Sequence, residues 1–252
     1  MTEIISIISG KGGVGKTTLV SNLAVSLTKT NAKVLVIDGN VTGANLGIHL
    51  GVPSVYPVSL NDVLNKNAFI TQAIYRHSSG FNIIPASLNS LGANSQALKH
   101  MLYDILGNYD FILIDAAAGV NKEMTSAIEA SDSCIIITNP ELSALSNALL
   151  AKKIAEKHNI PIKGVVINKI TNDKYEVQTK DITEFLELPI IGTINDHRKV
   201  RESIAIGKPI IEHRPRNSSS YSIRCISHKI AGLEEPKRTI IDSMKGFIDD
   251  IR

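Results

Sequence analysis

The strongest chemistry in the chain is carried by nine consecutive residues. Gly10-Lys11-Gly12-Gly13-Val14-Gly15-Lys16-Thr17-Thr18 contains the pattern G-x-x-x-x-G-K-[ST], set between an apolar run ending at Ser9 and a helical pattern starting at Lys16. Glycines let the backbone curl until successive N–H groups converge, and the positive end of the following helix adds to them. Gly12, Gly13, Val14 and Gly15 thus form a phosphate cradle that continues into Thr18. Lys16 is placed to span the outer phosphate oxygens, and the Thr17 hydroxyl to ligate Mg²⁺. A second lysine, Lys11, stands inside the same loop. Two carboxylates close apolar runs elsewhere: Asp115 ends Phe111–Asp115 and Asp38 ends Lys33–Asp38. Asp115 is expected in the Mg²⁺ shell through water, with Asp38 a second candidate.

The elements that must position these groups are legible as an alternation. Runs rich in Ile and Val occur at Ile4–Ser9, Lys33–Asp38, Phe81–Pro85, Phe111–Asp115, Ser133–Thr138, Gly164–Asn168 and Pro189–Ile194. They are continuous rather than alternating, which a parallel sheet covered on both faces demands. Helical patterns such as Lys16–Lys29 and Ser143–His158 separate them, so the chain reads as repeated βαβ units. The expected fold is α/β: a single P-loop domain with a mostly parallel, doubly wound sheet flanked by helices. Several runs end in Gly, Asp or Asn, and the ligand crevice of such a sheet lies along that carboxyl edge. One domain is expected over residues 1–235, with a separate short segment over 236–252 after the polar stretch Glu234-Glu235-Pro236-Lys237-Arg238.

Composition narrows the function classes. The 252 residues carry 27 Lys+Arg against 24 Asp+Glu, a formal net charge of +3, too small for a dedicated nucleic-acid binder. Cys134 and Cys225 have neither metal-ligand nor disulfide-framework spacing, as suits a reducing cytoplasm. The N-terminus has no basic region or cleavage site, and no run of about eighteen apolar residues occurs, so neither a signal peptide nor a spanning helix is expected. The seven histidines are scattered; His49, His77 and His100 lack partners at metal-ligand spacing and are expected on the surface or in the core. Cys134 reads as a buried apolar filler. The basic clusters Arg198-Lys199-Val200-Arg201 and His213-Arg214-Pro215-Arg216 read as solvated charge rather than DNA contacts.

The loop Lys11-Gly12-Gly13-Val14-Gly15-Lys16-Thr17-Thr18 resembles the deviant Walker A motif of the ParA/MinD family of P-loop ATPases, and the likeness extends over most of the chain. It is closest to the MinD branch of that family, in its archaeal form. Asp38-Gly39-Asn40 followed by Asn45-Leu46-Gly47 is similar to switch I. Phe111–Gly119 is similar to the Walker B strand and switch II, and Thr138-Asn139-Pro140-Glu141 to the stretch after the next strand. Val166-Ile167-Asn168-Lys169 matches the strand whose Asn reads adenine, and Ile191–Asp196 the second adenine-side loop, which puts Asn168, Asn195 and Asp196 at the base. The resemblance implies ATP or ADP with Mg²⁺, slow ATP hydrolysis, and a homodimer with ATP at its interface. Lys11 would reach across to the partner's phosphates as an arginine finger does elsewhere.

Two positions depart from the family. Relatives carry a second Asp in switch I, thought to orient the attacking water; here it is Asn40, which accepts a hydrogen bond from water but takes no proton. General-base assistance is worth about 10²–10⁴-fold, less in loose phosphoryl transfer, so slow turnover is expected. Ala117 replaces a common switch II proline.

At the end of the chain, Ile240, Ile241, Met244, Phe247, Ile248 and Ile251 make one helical stripe, with Asp242, Asp249 and Asp250 opposite and Lys237, Arg238, Lys245 and Arg252 flanking. In this family such a segment targets the membrane. The expectation is a cytoplasmic protein, peripheral on the inner face of the cell membrane through residues 239–252 in its ATP state, positioning a cell-division or polarity partner. A ParA-like ATPase acting on chromosomal DNA and a hydrolysis-poor ATP-bound scaffold are the competing expectations.

Overall fold

Strands apolar on both faces are satisfied only between two layers, and the chain builds both. The computed structural model describes residues 1–53, 56–87 and 97–237. The expected membrane-targeting stretch 239–252 lies outside the described residues. The strands are β1 (Glu3–Ile8), β2 (Val34–Gly39), β3 (Tyr75–Arg76), β4 (Asn82–Ile84), β5 (Phe111–Ala116), β6 (Ser133–Thr138), β7 (Ile162–Ile170) and β8 (Ile190–Asn195). They form one sheet in the order β3-β4-β2-β5-β1-β6-β7-β8, parallel throughout except for β3 against β4. All strands but β3 fall on the expected apolar runs. Two residues are too few to show a period, and β3 exists because the His77 N–H donates to the Phe81 carbonyl at 2.8 Å and closes a turn back onto β4.

The helices are α1 (Lys16–Thr28), α2 (Leu46–Leu50), α3 (Leu60–Leu64), α4 (Leu98–Leu102), α5 (Lys122–Glu129), α6 (Leu142–Lys157), α7 (Thr179–Leu186), α8 (Arg198–Ala205), α9 (Ile210–His213) and α10 (Ser218–Ile230). Successive strand residues serve opposite layers. Ile4, Ile8, Leu35 and Ile37 pack with residues of α3 to α7, whereas Ile5, Ile7, Val34 and Val36 pack with α1, α2, α9 and α10. This is the physical reason for the unbroken apolar runs. Each fully buried Ile or Val contributes roughly 1.5–3 kcal/mol of transfer free energy, so a polar residue in β1 is costly on either face unless it has a partner, as buried Ser6 has in Cys134.

β1 lies between β5 and β6, with β2 beyond β5. The chain therefore winds outward first to one side of β1 and later to the other, and the crevice opens at the carboxyl end of β1. No described helix is long and apolar enough to cross a membrane.

The basic clusters are less solvated than their composition suggests. Lys199 is buried, with its Nζ donating to Glu202 Oε2 at 2.7 Å, and Glu202 Oε1 lies 2.9 Å from His213 Nε2 and 3.4 Å from Arg214 Nη2. Hydrogen bonds from Lys199 and His213 hold the Glu202 carboxyl down at about 2. The cluster ties α8 to α9, so much of its charge is spent inside the fold. Cys134 is buried beside Ser6 as expected, and burial pushes its thiol up to about 11.

Candidate nucleotide site

β1 delivers the chain to the crevice at Ser9. Gly10 follows because any side chain there would run into the backbone carbonyl of Asn147 on α6. The loop ends at Gly15, where φ is 103° and an added Cβ would overlap the Asn168 amide, so glycine is required twice over. Gly15 also begins α1, which has no side-chain cap and no acidic residue in its first turn, a state it shares with α2, α4 and α6. The N–H groups at the start of α1 are therefore without a side-chain acceptor, and a phosphate in the adjoining cavity would supply one.

Lys16 stands at that point, 7% exposed. Its Nζ donates to Ser9 Oγ at 2.8 Å, and Ser9 Oγ in turn donates to the Lys11 carbonyl at 2.8 Å. Burial lowers the ammonium's pKa and the nearby Asp115 opposes the shift. A buried cation with one neutral hydrogen-bond partner is under-compensated, and phosphate oxygens would complete it.

The carboxylates lie behind the loop. β2 and β5 pair in a register that sets Asp38 directly beside Asp115, and both are buried. Asp38 accepts from the Asn40 and Leu46 N–H groups, each at 3.2 Å. Asp115 Oδ1 is buried without a hydrogen-bond partner. Burial pushes Asp115 up to about 6, against the pull of Thr17 and Lys16; burial and the charge of Asp115 push Asp38 up to about 8. Two adjacent buried carboxyls, one with an orphaned oxygen, next to a threonine hydroxyl form a hard oxygen donor set of the kind that fits Mg²⁺. Thr17, Asp115 and Asp38 would hold the ion, with water completing its shell.

In front of the loop lies a cavity of about 390 Å³, in the range of small-ligand sites; Asp38 and Asp115 are buried behind it and are not among its lining residues. Of the residues expected from sequence, Gly13, Gly15, Lys16, Thr17, Thr18, Asn40, Asn168, Asn195 and Asp196 line it. Gly12 lies in the loop with room for a Cβ, and Val14 is buried in the core. Asn168 Nδ2 donates to the Val14 carbonyl at 2.7 Å, so the expected base reader also anchors the loop to β7. Asn40 Nδ2 donates to the Gly43 carbonyl at 2.6 Å, closing switch I on itself. Lys11 turns away from the cavity: its Nζ donates to Glu141 Oε2 at 3.0 Å and Ser143 Oγ at 3.2 Å, at the start of α6.

Three contributors were assigned no role by sequence, although Glu141 and Lys169 end stretches that match the family. Ser9 positions Lys16, Glu141 holds Lys11, and Lys169 donates from Nζ to the Gly13 carbonyl at 2.7 Å. Lys169 adopts φ 60° beside a register shift in β7, which turns its side chain back over the loop. Its position next to Asn168 was the available signal, but a lysine at a strand end is ordinary until the loop is folded against it.

A phosphate cradle at the switch point of a parallel sheet, with paired carboxylates behind it, defines a P-loop nucleotide-binding protein. A family model described as an AAA domain matches residues 2–163. The chain is 37% identical over 237 residues to an uncharacterised ATP-binding protein of Methanocaldococcus jannaschii, covering 93% of this chain and 89% of that protein. Among solved structures it is similar to the septum site-determining protein MinD of Pyrococcus horikoshii complexed with Mg-ADP, at 32% identity and TM-score 0.87, covering 91% of this chain and 96% of that one. It is also similar to a chain of the MinC:MinD cell division protein complex of Aquifex aeolicus, at 29% identity and TM-score 0.84, over 94% and 98%. The chain belongs to the ParA/MinD family of P-loop ATPases, whose cofactors are adenine nucleotide and Mg²⁺.

Proposed function

We propose that this chain is a MinD-like switch: an ATPase that dimerises around ATP, binds the membrane in that state, and positions a protein partner in cell division or polarity. The observation that carries this reading is the division of labour between the two loop lysines. Lys16 is buried in its own cavity, whereas Lys11 stands half-exposed at the rim on Glu141, a contact it would exchange for phosphates of a second copy. Exposed apolar residues occupy the adjoining segments: Val120 after β5, Leu142 at the start of α6, and Tyr175 before α7. They are apolar area that a second copy would cover. The similarity to a chain of a MinC:MinD cell division protein complex supports a protein partner.

Bound Mg²⁺ would neutralise charge on the terminal phosphates; the rest of the chemistry belongs to the chain. Loop N–H groups and Lys16 hold the phosphates, Thr17, Asp115 and Asp38 hold the ion, and Lys11 of a second copy supplies the remaining positive charge. Asn40 has no basic oxygen to take a proton, and its amide is already committed to Gly43. Slow hydrolysis and a long-lived ATP state follow. An Asn40→Asp chain loses the Gly43 bond, because a carboxylate has no proton to donate, and its freed side chain can polarise water. Phosphate release is expected to rise about tenfold or more; an unchanged or lower rate counts against this role for Asn40.

The membrane reading rests on the apolar stripe of residues 239–252. One short amphipathic segment binds weakly, and a dimer presents two, which converts marginal into stable attachment. The test is co-sedimentation with anionic liposomes in ATP and in ADP, comparing the whole chain with one ending at Glu235. ATP-dependent pelleting that disappears on truncation is expected. An absence of pelleting in both nucleotides overturns the membrane part of the proposal.

A further inference from the structure

The cavity has a wall that phosphate chemistry does not use. α2 and α8 pack on each other, and from them His49, Val200, Arg201 and Ile204 face the same space as the phosphate loop. Sequence spacing alone assigned His49 to surface or core. Its Nδ1 lies 3.2 Å from the Asn45 carbonyl oxygen, one turn earlier. A carbonyl only accepts, so Nδ1 carries the proton and Nε2 presents a lone pair. Nε2 has no hydrogen-bond partner among the described residues. Burial pulls the imidazole's pKa down, with the Asn45 bond opposing, which keeps the ring neutral near pH 7.

A neutral acceptor is the wrong group for phosphate, whose oxygens are themselves acceptors. It suits a hydroxyl or amino donor, its neighbours Val200 and Ile204 suit a sugar or base, and the wall's one cation, Arg201, faces Asp196 with its Nη2 4.0 Å from Oδ2. The base has its own candidate readers in Asn168, Asn195 and Asp196, which leaves the sugar for the α2–α8 wall.

We propose that His49 is a nucleotide-binding residue whose Nε2 accepts a hydrogen bond from a ribose hydroxyl, so that the chain discriminates ribonucleotides from deoxyribonucleotides. The inference rests on the adenine-nucleotide reading of the cavity and adds the sugar to it.

The test is calorimetric titration of the whole chain with ADP, 2′-deoxyADP and 3′-deoxyADP in excess Mg²⁺. One hydrogen bond of ordinary strength corresponds to about three- to tenfold in affinity. The parent chain is expected to bind ADP tighter than at least one deoxy analogue by that factor. His49→Ala should weaken ADP to the level of that analogue while leaving the analogue's own affinity unchanged, and His49→Gln, which keeps an acceptor, should retain part of the preference. A parent that binds all three nucleotides equally overturns the proposal, as does a His49→Ala chain that keeps the full preference. If His49→Ala binds none of them, the preference of His49→Gln decides, and its absence counts against the proposal. A parent that binds no ADP overturns the nucleotide reading itself, a distinct result.

Discussion

A Lys16→Ala chain is expected to lose ATP hydrolysis by about two to three orders of magnitude, read as phosphate release at saturating Mg²⁺-ATP. That loss corresponds to about 3–4 kcal/mol of transition-state stabilisation. The size follows from isolation. Among the described residues the cavity is also lined by Lys169 and Arg201, but Lys169 donates to the Gly13 carbonyl and Arg201 belongs to the α8 wall. Lys11 of the same chain is held outside by Glu141. Among the described residues no other ammonium stands where Lys16 does, at the foot of the loop and near Asp115. Removing Lys16 also takes from Asp115 its nearby cation, so the variant is assayed at a pH and temperature where its melting curve shows it folded. A rate within tenfold of the parent, in a chain that melts normally, would exclude Lys16 from the chemistry.

The second large effect is on stability and has a sign that depends on pH. Asp38 and Asp115 are pushed above the unfolded carboxylate value of about 3.9, to about 8 and about 6, both by burial first and Asp38 also by the charge of Asp115. The folded, nucleotide-free chain therefore binds more protons than the unfolded one between about pH 4 and pH 8. The pair's contribution is most favourable below the unfolded value and is lost as pH rises through the folded ones. Asp115→Asn removes one charge and gives the orphaned position an amide, so it should raise the melting temperature of the nucleotide-free chain at pH 8, by about 3–8 °C. The gain should shrink toward pH 5.5, where the parent pair is more protonated. The same variant should weaken the tightening of nucleotide binding by Mg²⁺, since one of the two carboxylates proposed to hold the ion is gone. A melting temperature that falls at pH 8, or a gain that does not change with pH, would show that the two carboxyls are not in conflict.

Both predictions concern residues visible in the sequence, yet their magnitudes depend on neighbours that were not. Lys16 is placed by a motif with a physical mechanism, and nothing in the motif says that Ser9 holds it or that Asp115 lies close. The apolar runs identified the central strands, because a strand buried on both faces has a composition that survives without context. β3 was missed for the opposite reason, since Tyr75 and Arg76 become a strand only when the turn at His77 brings them to β4. The basic cluster at Arg198–Arg201 read as solvated charge, whereas Lys199 is buried on Glu202, a partner one helical turn away whose burial sequence spacing does not reveal.

What the sequence determined by itself was local: the loop, the runs, and the carboxylates that end them. These are set within a few residues of chain, by glycine's backbone freedom and by the demand of a covered sheet. Only the tertiary structure decided which of them act on one another. The register of β2 against β5 made Asp38 and Asp115 a conflicting pair, the approach of α6 drew Lys11 out of its own cavity, and the packing of α2 on α8 set His49 in the wall of that cavity. Each is a contact between segments far apart in the chain or a side chain's aim across a packed interface, and residue type carries no record of distance until the layers close.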